Sequence, residues 1–303
     1  MICNLCPRNC NASRTEDSGG GFCGMPLRPI VAKSMLHAWE EPCLTGERGA
    51  GAVFFTGCSL GCVYCQNHAI SRGGKASPDW KAVDAEGLRE IFHDLIRRGA
   101  SCLDLVTPTH FTPVIREALR GETWPVPVVW NSGGYEKAET LRSMEGLIQV
   151  YMPDMKYALP ELAERYSRAS DYFAWATEAI EEMFRQVGPY RMENGRLLSG
   201  VLIRHLILPG DLENTRRVID WLSATFRPGD VLFSLMRQYT PQEGASGKLA
   251  RRVTGGEYRA ALAYMENCGI TDGYAQEAAS AVAAYTPDFL ESSRASADFT
   301  GIR

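Results

Sequence analysis

The sequence predicts an α/β fold: a partial (β/α)6 TIM-like barrel of parallel strands with a small cysteine-rich N-terminal element. Three observations predict it. Short β-rich runs alternate with longer amphipathic stretches from about residue 50 onward, polar residues gather where those runs end, and cysteines cluster ahead of the first run. The 303 residues match one α/β barrel or two average domains. The organisation expected is a cysteine-rich metal-binding element over residues 1–45, a barrel over 46–276 and a C-terminal tail over 277–303.

The N-terminal element carries Cys3, Cys6, Cys10 and Cys23 in turn-rich sequence that includes Gly19-Gly20-Gly21. So short a segment buries little core and needs a staple, which four thiolates on a metal supply. Zinc and a second iron–sulfur cluster both suit four thiolates, and plain free cysteines are the remaining reading. Cys43 stands outside this group, and Cys102 and Cys268 read as core residues.

The candidate strands are residues 52–56, 102–107, 126–131, 147–152, 201–208 and 231–236, enough for a partial barrel. Between them, Leu88, Ile91, Phe92, Leu95 and Ile96 recur at helical spacing. Val218, Ile219, Leu222 and Phe226 do the same after the turn at Pro209-Gly210, and both faces are expected to cover the sheet. Residues 159–187, with Tyr166, Tyr172, Phe173, Trp175, Met183 and Phe184, exceed what a crossover requires. They read as one or two helices that shape access to the site. No internal period suggests a solenoid. The tail, with Ser292-Ser293 and Ser296, is weakly patterned and reads as a surface wrap or a mobile end.

Composition narrows the partners. Hydrophobic residues make up 45% and charged residues 22%, with a net charge of −4, so no basic excess points to nucleic acid or an anionic membrane. No apolar run approaches the ~20 residues of a membrane span. The start, Met1-Ile2-Cys3-Asn4-Leu5-Cys6, has no basic segment or apolar signal core, so the expected location is the cytoplasm. Ten cysteines in this length are too sparse for a disulfide scaffold, and clustered thiols in a reducing compartment read as metal ligands.

The densest cluster is Cys58-Ser59-Leu60-Gly61-Cys62-Val63-Tyr64-Cys65, directly after the first candidate strand. A [4Fe–4S] cluster takes one soft thiolate on each of its irons, so a loop with three leaves one iron for an exogenous ligand. Part of a structural zinc site, or buried thiols packed as small hydrophobes, are the competing readings.

Function in a parallel barrel gathers at the C-terminal ends of the strands. Those ends carry Thr107-Pro108-Thr109-His110, Asn131-Ser132-Gly133-Gly134, Pro153-Asp154-Met155-Lys156, the pair Arg204-His205, and Arg237-Gln238-Tyr239. Alone, Asn131 can make a turn, Asp154 can cap a helix, and His110 or His205 can be a satisfied structural histidine. Their joint occurrence at strand ends points to a site.

Cys58, Cys62 and Cys65, with Tyr64 just before the third cysteine, resemble the signature of the radical S-adenosylmethionine enzymes. In that family the open iron binds the amino and carboxylate groups of S-adenosylmethionine, and the aromatic residue lies by its adenine. Residues 51–276 resemble the pyruvate formate-lyase activating enzyme branch, and the N-terminal cysteines resemble an uncharacterised subgroup of it. The resemblance implies a [4Fe–4S] cluster, reductive cleavage of S-adenosylmethionine to a 5′-deoxyadenosyl radical, and an external electron donor such as flavodoxin or ferredoxin. It also implies a glycyl radical enzyme as protein substrate, one of whose backbone glycines loses hydrogen. Carried over by position, Asn131 takes the ribose, Asp154 and Lys156 form the Asp-x-Lys motif, and His205 lies near the cofactor or substrate. Thr107-Pro108-Thr109-His110 stands where the family usually has Gly-Gly-Glu, and there Thr109, backbone carbonyls or neutral His110 accept hydrogen bonds from the methionine amino group. The competing functions are radical modification of a small molecule or another peptide, and a non-catalytic zinc or iron–sulfur protein.

Overall fold

The computed structural model describes residues 2–72, 77, 79–276, 287 and 289, so the expected tail lies outside the described residues except for Pro287 and Phe289. The strands are β1 (Ile30–His37), β2 (Ala50–Phe55), β3 (Lys81–Ala82), β4 (Leu103–Val106), β5 (Val128–Ser132), β6 (Val150–Pro153), β7 (Arg191–Glu193), β8 (Arg196–Leu206), β9 (Leu232–Met236) and β10 (Gly273–Ala275). The helices are α1 (Pro42–Thr45), α2 (His68–Ser71), α3 (Ala85–Arg97), α4 (Thr112–Leu119), α5 (Ala138–Arg142), α6 (Pro160–Ser167), α7 (Tyr172–Val187), α8 (Leu212–Thr225) and α9 (Gly255–Asn267).

They form one curved sheet in the order β3-β1-β2-β4-β5-β6-β8-β9-β10, with β7 paired to β8 off that path. Every neighbouring pair from β2 through β10 is parallel. The expected α/β class and parallel order hold, and the sheet is open rather than closed. All six candidate strands are present, with ends shifted by a few residues.

Other strands lie outside those expectations. β1 runs antiparallel to β2 from within the first 45 residues and joins the cysteine-rich segment to the sheet. β7 and β8 form a hairpin whose turn residues, Asn194 and Gly195, both have positive φ (49° and 77°), the conformation a tight hairpin turn asks for. β10 adds a short parallel strand beyond β9.

Alternation along the strands separates two faces. Phe55, Leu105, Trp130, Tyr151, Ile203 and Phe233 point to the helices, where they meet Leu88, Phe92 and Leu95 of α3 and Val218, Ile219 and Leu222 of α8. Each such buried side chain contributes about 1.5–3 kcal/mol. The Asp84 carboxylate starts α3 by accepting from Gly87 N–H at 2.9 Å. The concave face is apolar at one level, with Ala50, Val129, Val150, Met152, Leu202 and Leu232 around Cys43 and Leu44 of α1. Nearer the carboxyl ends of the strands the same face carries Asp104, Asn131 and Arg204. Residues 159–187 form two helices, α6 and α7. Among the described residues no helix is long and apolar enough to cross a membrane.

The turn after β5 fixes two strand ends together. Gly134 has φ +76°, and a Cβ there would sit 2.4 Å from the Asp154 carbonyl oxygen and 2.9 Å from the Tyr172 hydroxyl. Gly134→Ala is expected to cost about 2–4 kcal/mol in urea unfolding, from the left-handed backbone and the overpacking. Gly133→Ala, whose Cβ would meet only side-chain atoms of Leu60 and Lys156, is expected to cost less.

Candidate active site

A cleft with a cavity volume of about 220 Å³, open to solvent, lies over the carboxyl ends of the parallel strands. It is lined by Phe54 of β2, Val106 of β4 and Thr107 just after it, Asn131 of β5, Asp154 and Lys156 just after β6, and Arg204 of β8. His37, Trp39 and Glu40, at and just after the end of β1, complete one wall, and Cys58, Cys62 and Cys65 line another.

The cysteine loop leaves β2 through Gly57, at φ +80°, where a Cβ would come within 2.3 Å of Met25 Cγ. Backbone bonds pin it on both sides: Gly57 N–H donates to Ile70 O at 2.8 Å, and Val63 N–H donates to Tyr166 O at 2.9 Å. Two sulfurs receive donors, Leu60 N–H on Cys58 at 3.3 Å and Ser167 Oγ–H on Cys62 at 3.0 Å. Burial pushes the Cys65 thiol up to about 12, with Cys62 and then Cys58 adding to the rise. Cys58 is raised by burial and then by Cys62. Thiols raised in this way ionise together only if a cation offsets them, and soft sulfur ligands with donors aimed at them suit iron in a cluster. Among the described residues no three ligating side chains converge on a single-ion site. A cuboidal cluster instead takes its thiolates at separate iron corners. Tyr64 lines the cleft, its ring edge-on to Tyr157, Tyr166 and Tyr239.

The cleft floor is a charge network centred on Arg204. Its Nε donates to Asp154 Oδ1 at 2.9 Å, one terminal nitrogen to Glu40 Oε1 at 2.9 Å and the other to Asn131 Oδ1 at 2.7 Å. Lys156 Nζ holds the other Asp154 oxygen at 2.6 Å. Asn131 Nδ2 donates to Glu40 and Asp104, both at 3.3 Å. Burial alone would raise the Asp154 carboxyl, but Arg204 and then Lys156 outweigh it and hold it below its ordinary value. Asp104, fully buried beneath, is pushed well above the carboxylate range by burial, with Glu40 adding to it. Burial also raises Glu41 to about 7 against the pull of Arg204.

The expected site residues therefore divide. Cys58, Cys62, Cys65, Tyr64, Asn131, Asp154 and Lys156 share the cleft. Thr109, His110 and His205 do not line it. Thr109 donates to buried Glu136 at 2.7 Å. His110 pairs its Nε2 with Thr56 O at 2.7 Å, beneath the start of the cysteine loop. His205 bonds Met155 O at 2.6 Å and Thr215 Oγ1 at 3.0 Å, and burial lowers both imidazoles to about 4. On β8 it is the neighbouring Arg204 that points into the cleft, because successive strand residues face opposite sides.

Residue-level reading also missed Glu40, Glu136 and the part played by Tyr172. Buried Glu136 accepts from Trp130 Nε1 at 2.8 Å as well as from Thr109, tying the turn after β4 to β5. The Tyr172 hydroxyl lies 2.9 Å from Gly133 O and accepts from Lys156 N–H at 2.9 Å, bracing the ends of β5 and β6 from α7. The sequence signal for this floor was the position of Asn131, Asp154, Lys156 and Arg204 at the ends of candidate strands.

The N-terminal cysteines lie together. Burial raises Cys6 to about 12, with Cys23, Cys3 and Cys10 each adding, and burial likewise raises Cys23. Their segment is docked by Arg14 to His110 O at 2.8 Å, by Lys137 Nζ to Asn4 Oδ1 at 2.7 Å and by Thr140 Oγ1 to Leu5 O at 2.8 Å.

The raised carboxyls set a pH dependence. Asp104 and Glu41 keep their protons in the folded chain at pH values where the unfolded chain has lost them. Between the two states' values stability therefore falls as pH rises. For Glu41 this window runs from 4.5 to about 7. Urea unfolding across it is expected to show Glu41→Gln and Asp104→Asn gaining stability relative to the parent chain as pH increases. A constant difference would contradict buried, protonated carboxyls.

No protein-family model matches the chain. An uncharacterised protein of Methanocaldococcus jannaschii is 28% identical over 275 residues, covering 87% of this chain and 74% of that protein. Among solved structures, QueE from Escherichia coli is similar with a TM-score of 0.43 and 11% identity, over 84% of this chain and 96% of that one. Methylornithine synthase (PylB) is similar with a TM-score of 0.47 and 16% identity, over 69% of this chain and 59% of that one.

Proposed function

We propose that this chain is a radical S-adenosylmethionine enzyme that activates a partner protein by taking hydrogen from one of its backbone glycines. The observation that carries the reading is that Cys58, Cys62 and Cys65 open onto the same cleft as Asn131, Asp154, Lys156 and Arg204. A [4Fe–4S] cluster held there by the thiolates of Cys58, Cys62 and Cys65 would supply the one-electron reduction that cleaves S-adenosylmethionine to methionine and a 5′-deoxyadenosyl radical. Asp154, ionised between Arg204 and Lys156, keeps a lone pair on each oxygen for hydroxyl groups of a nucleoside, and Asn131 stands beside it. Tyr64 offers an aromatic face to a base. Thr107 is the residue of its turn that lines the cleft, which favours it over Thr109 or His110 for contact with the methionine amino group.

The open cleft and the exposed Trp39 at its lip, 49% accessible, favour a peptide segment as substrate. The charged floor of Glu40, Arg204, Asp154 and Lys156 favours a polar small molecule, which is the second reading. The electron comes from an external donor of the flavodoxin or ferredoxin kind, and the reducing cytoplasm suits both thiol groups. The N-terminal cysteines take zinc or a second cluster, and the lack of three side chains converging on a single-ion site among the described residues favours the cluster.

Replacing Cys58, Cys62 and Cys65 together by alanine is expected to abolish S-adenosylmethionine cleavage while N-terminal metal remains. Metal analysis and product chromatography check this, and zinc without sulfide in the parent protein would contradict the enzyme reading. Asp154→Asn is expected to weaken S-adenosylmethionine binding by about 10–100-fold, the loss of a charge-assisted bond, with iron content unchanged. A glycyl radical in electron paramagnetic resonance after incubation with a glycyl radical partner separates protein activation from small-molecule chemistry.

A further inference from the structure

Arg8, two residues after Cys6, reaches out of the N-terminal element and into the cysteine loop. Its Nε donates to Ser59 O at 2.7 Å, and one terminal nitrogen lies 3.4 Å from Leu60 O and 2.6 Å from Ser167 O. The other terminal nitrogen donates to Arg168 O. The guanidinium lies 3.8 Å from the ring centre of Phe22 and 5.2 Å from that of Tyr135. One side chain thus spans the loop between Cys58 and Cys62 and the end of α6, whose Ser167 hydroxyl donates to Cys62.

The consequence for the sulfur follows from peptide geometry. A trans peptide points its carbonyl and its N–H in opposite directions, and no described peptide is cis. With the Ser59 carbonyl turned to Arg8, the N–H of the same peptide, that of Leu60, is turned the other way, where it meets Cys58 Sγ at 3.3 Å. Holding the carbonyl therefore holds the donor on the sulfur. Hydrogen bonds to cluster sulfurs and nearby positive charge favour the reduced cluster and raise its potential.

We propose that Arg8 is a positioning residue that aims the Leu60 N–H at Cys58 and thereby sets the reduction potential of the cluster, making the N-terminal element a tuning part of the site. This rests on the reading that Cys58, Cys62 and Cys65 hold an iron–sulfur cluster. Lysine at this position keeps the charge but lacks the planar fork that reaches several carbonyls at once.

The test is a redox titration of the anaerobically reconstituted full chain, followed by electron paramagnetic resonance without S-adenosylmethionine, with iron and sulfide measured on each sample. Arg8→Ala is expected to shift the midpoint to more negative potential and change the line shape, and Arg8→Lys to shift it less. A midpoint for Arg8→Ala equal to the parent's would overturn the proposal. Arg8→Lys equal to the parent, with only Arg8→Ala shifted, would assign the effect to charge and overturn the peptide-orienting role. Should Arg8→Ala take up no cluster, Arg8→Lys alone decides, a negative shift supporting the proposal and none overturning it. A parent protein without iron and sulfide would withdraw the cluster reading itself, and this proposal with it.

Discussion

Arg204 is the cation on which the cleft floor depends. From β8 its guanidinium reaches Asp154 on the neighbouring strand end, Asn131 one strand further, and Glu40 on the connection after β1. These elements come from distant parts of the chain, so one side chain fixes where the carboxyl ends of the strands stand relative to the N-terminal wall. The charge count makes the arrangement demanding. Asp104, Glu40, Glu41 and Asp154 crowd a region where Arg204 and Lys156 are the cations acting on Asp154. The balance closes because burial keeps Asp104 protonated, while Asp154, held by both cations, stays ionised. Removing the guanidinium would leave Lys156 as the one cation on Asp154 and Glu40 without its partner, a strongly destabilising loss.

The cysteine loop is held from outside the sheet as firmly as from within. Val63 hangs from Tyr166 and Cys62 receives Ser167, so the end of α6 serves as a shelf for the loop. Tyr172 at the start of α7 braces the strand ends opposite. The N-terminal element closes the arrangement through Arg8 and Arg14, which bind carbonyls of the cysteine loop and of the turn after β4. Segments that look peripheral in the chain thus form the frame of the site.

The parallel core was legible because buried strands read as apolar runs bounded by turns, and amphipathic spacing marked α3 and α8. β1 was not, since Lys33 and Ser34 interrupt its apolar pattern and it sits beside the cysteine-rich turns. The Asn194-Gly195 pair carries a hairpin signal in the sequence itself. In the site, the cysteines, Tyr64, Asn131, Asp154 and Lys156 were visible because motif spacing and strand ends mark them. The choice between Arg204 and His205 was not, because a shift of one residue exchanges the faces of a strand. Thr109 and His110 lie within a 3₁₀ turn, Thr109–Phe111, that carries them away from the cleft, and no spacing rule anticipates that. Glu40 was hidden because it follows β1, which the apolar pattern does not mark.

The central claim is that Cys58, Cys62 and Cys65 present an iron with an open position to the cleft. The most direct measurement is the electron paramagnetic resonance spectrum of the dithionite-reduced protein with and without S-adenosylmethionine. The account predicts the signal of a reduced [4Fe–4S] cluster whose line shape changes when S-adenosylmethionine is added. A cluster signal that S-adenosylmethionine leaves unaltered, or a chain that carries no cluster at these cysteines, would contradict it.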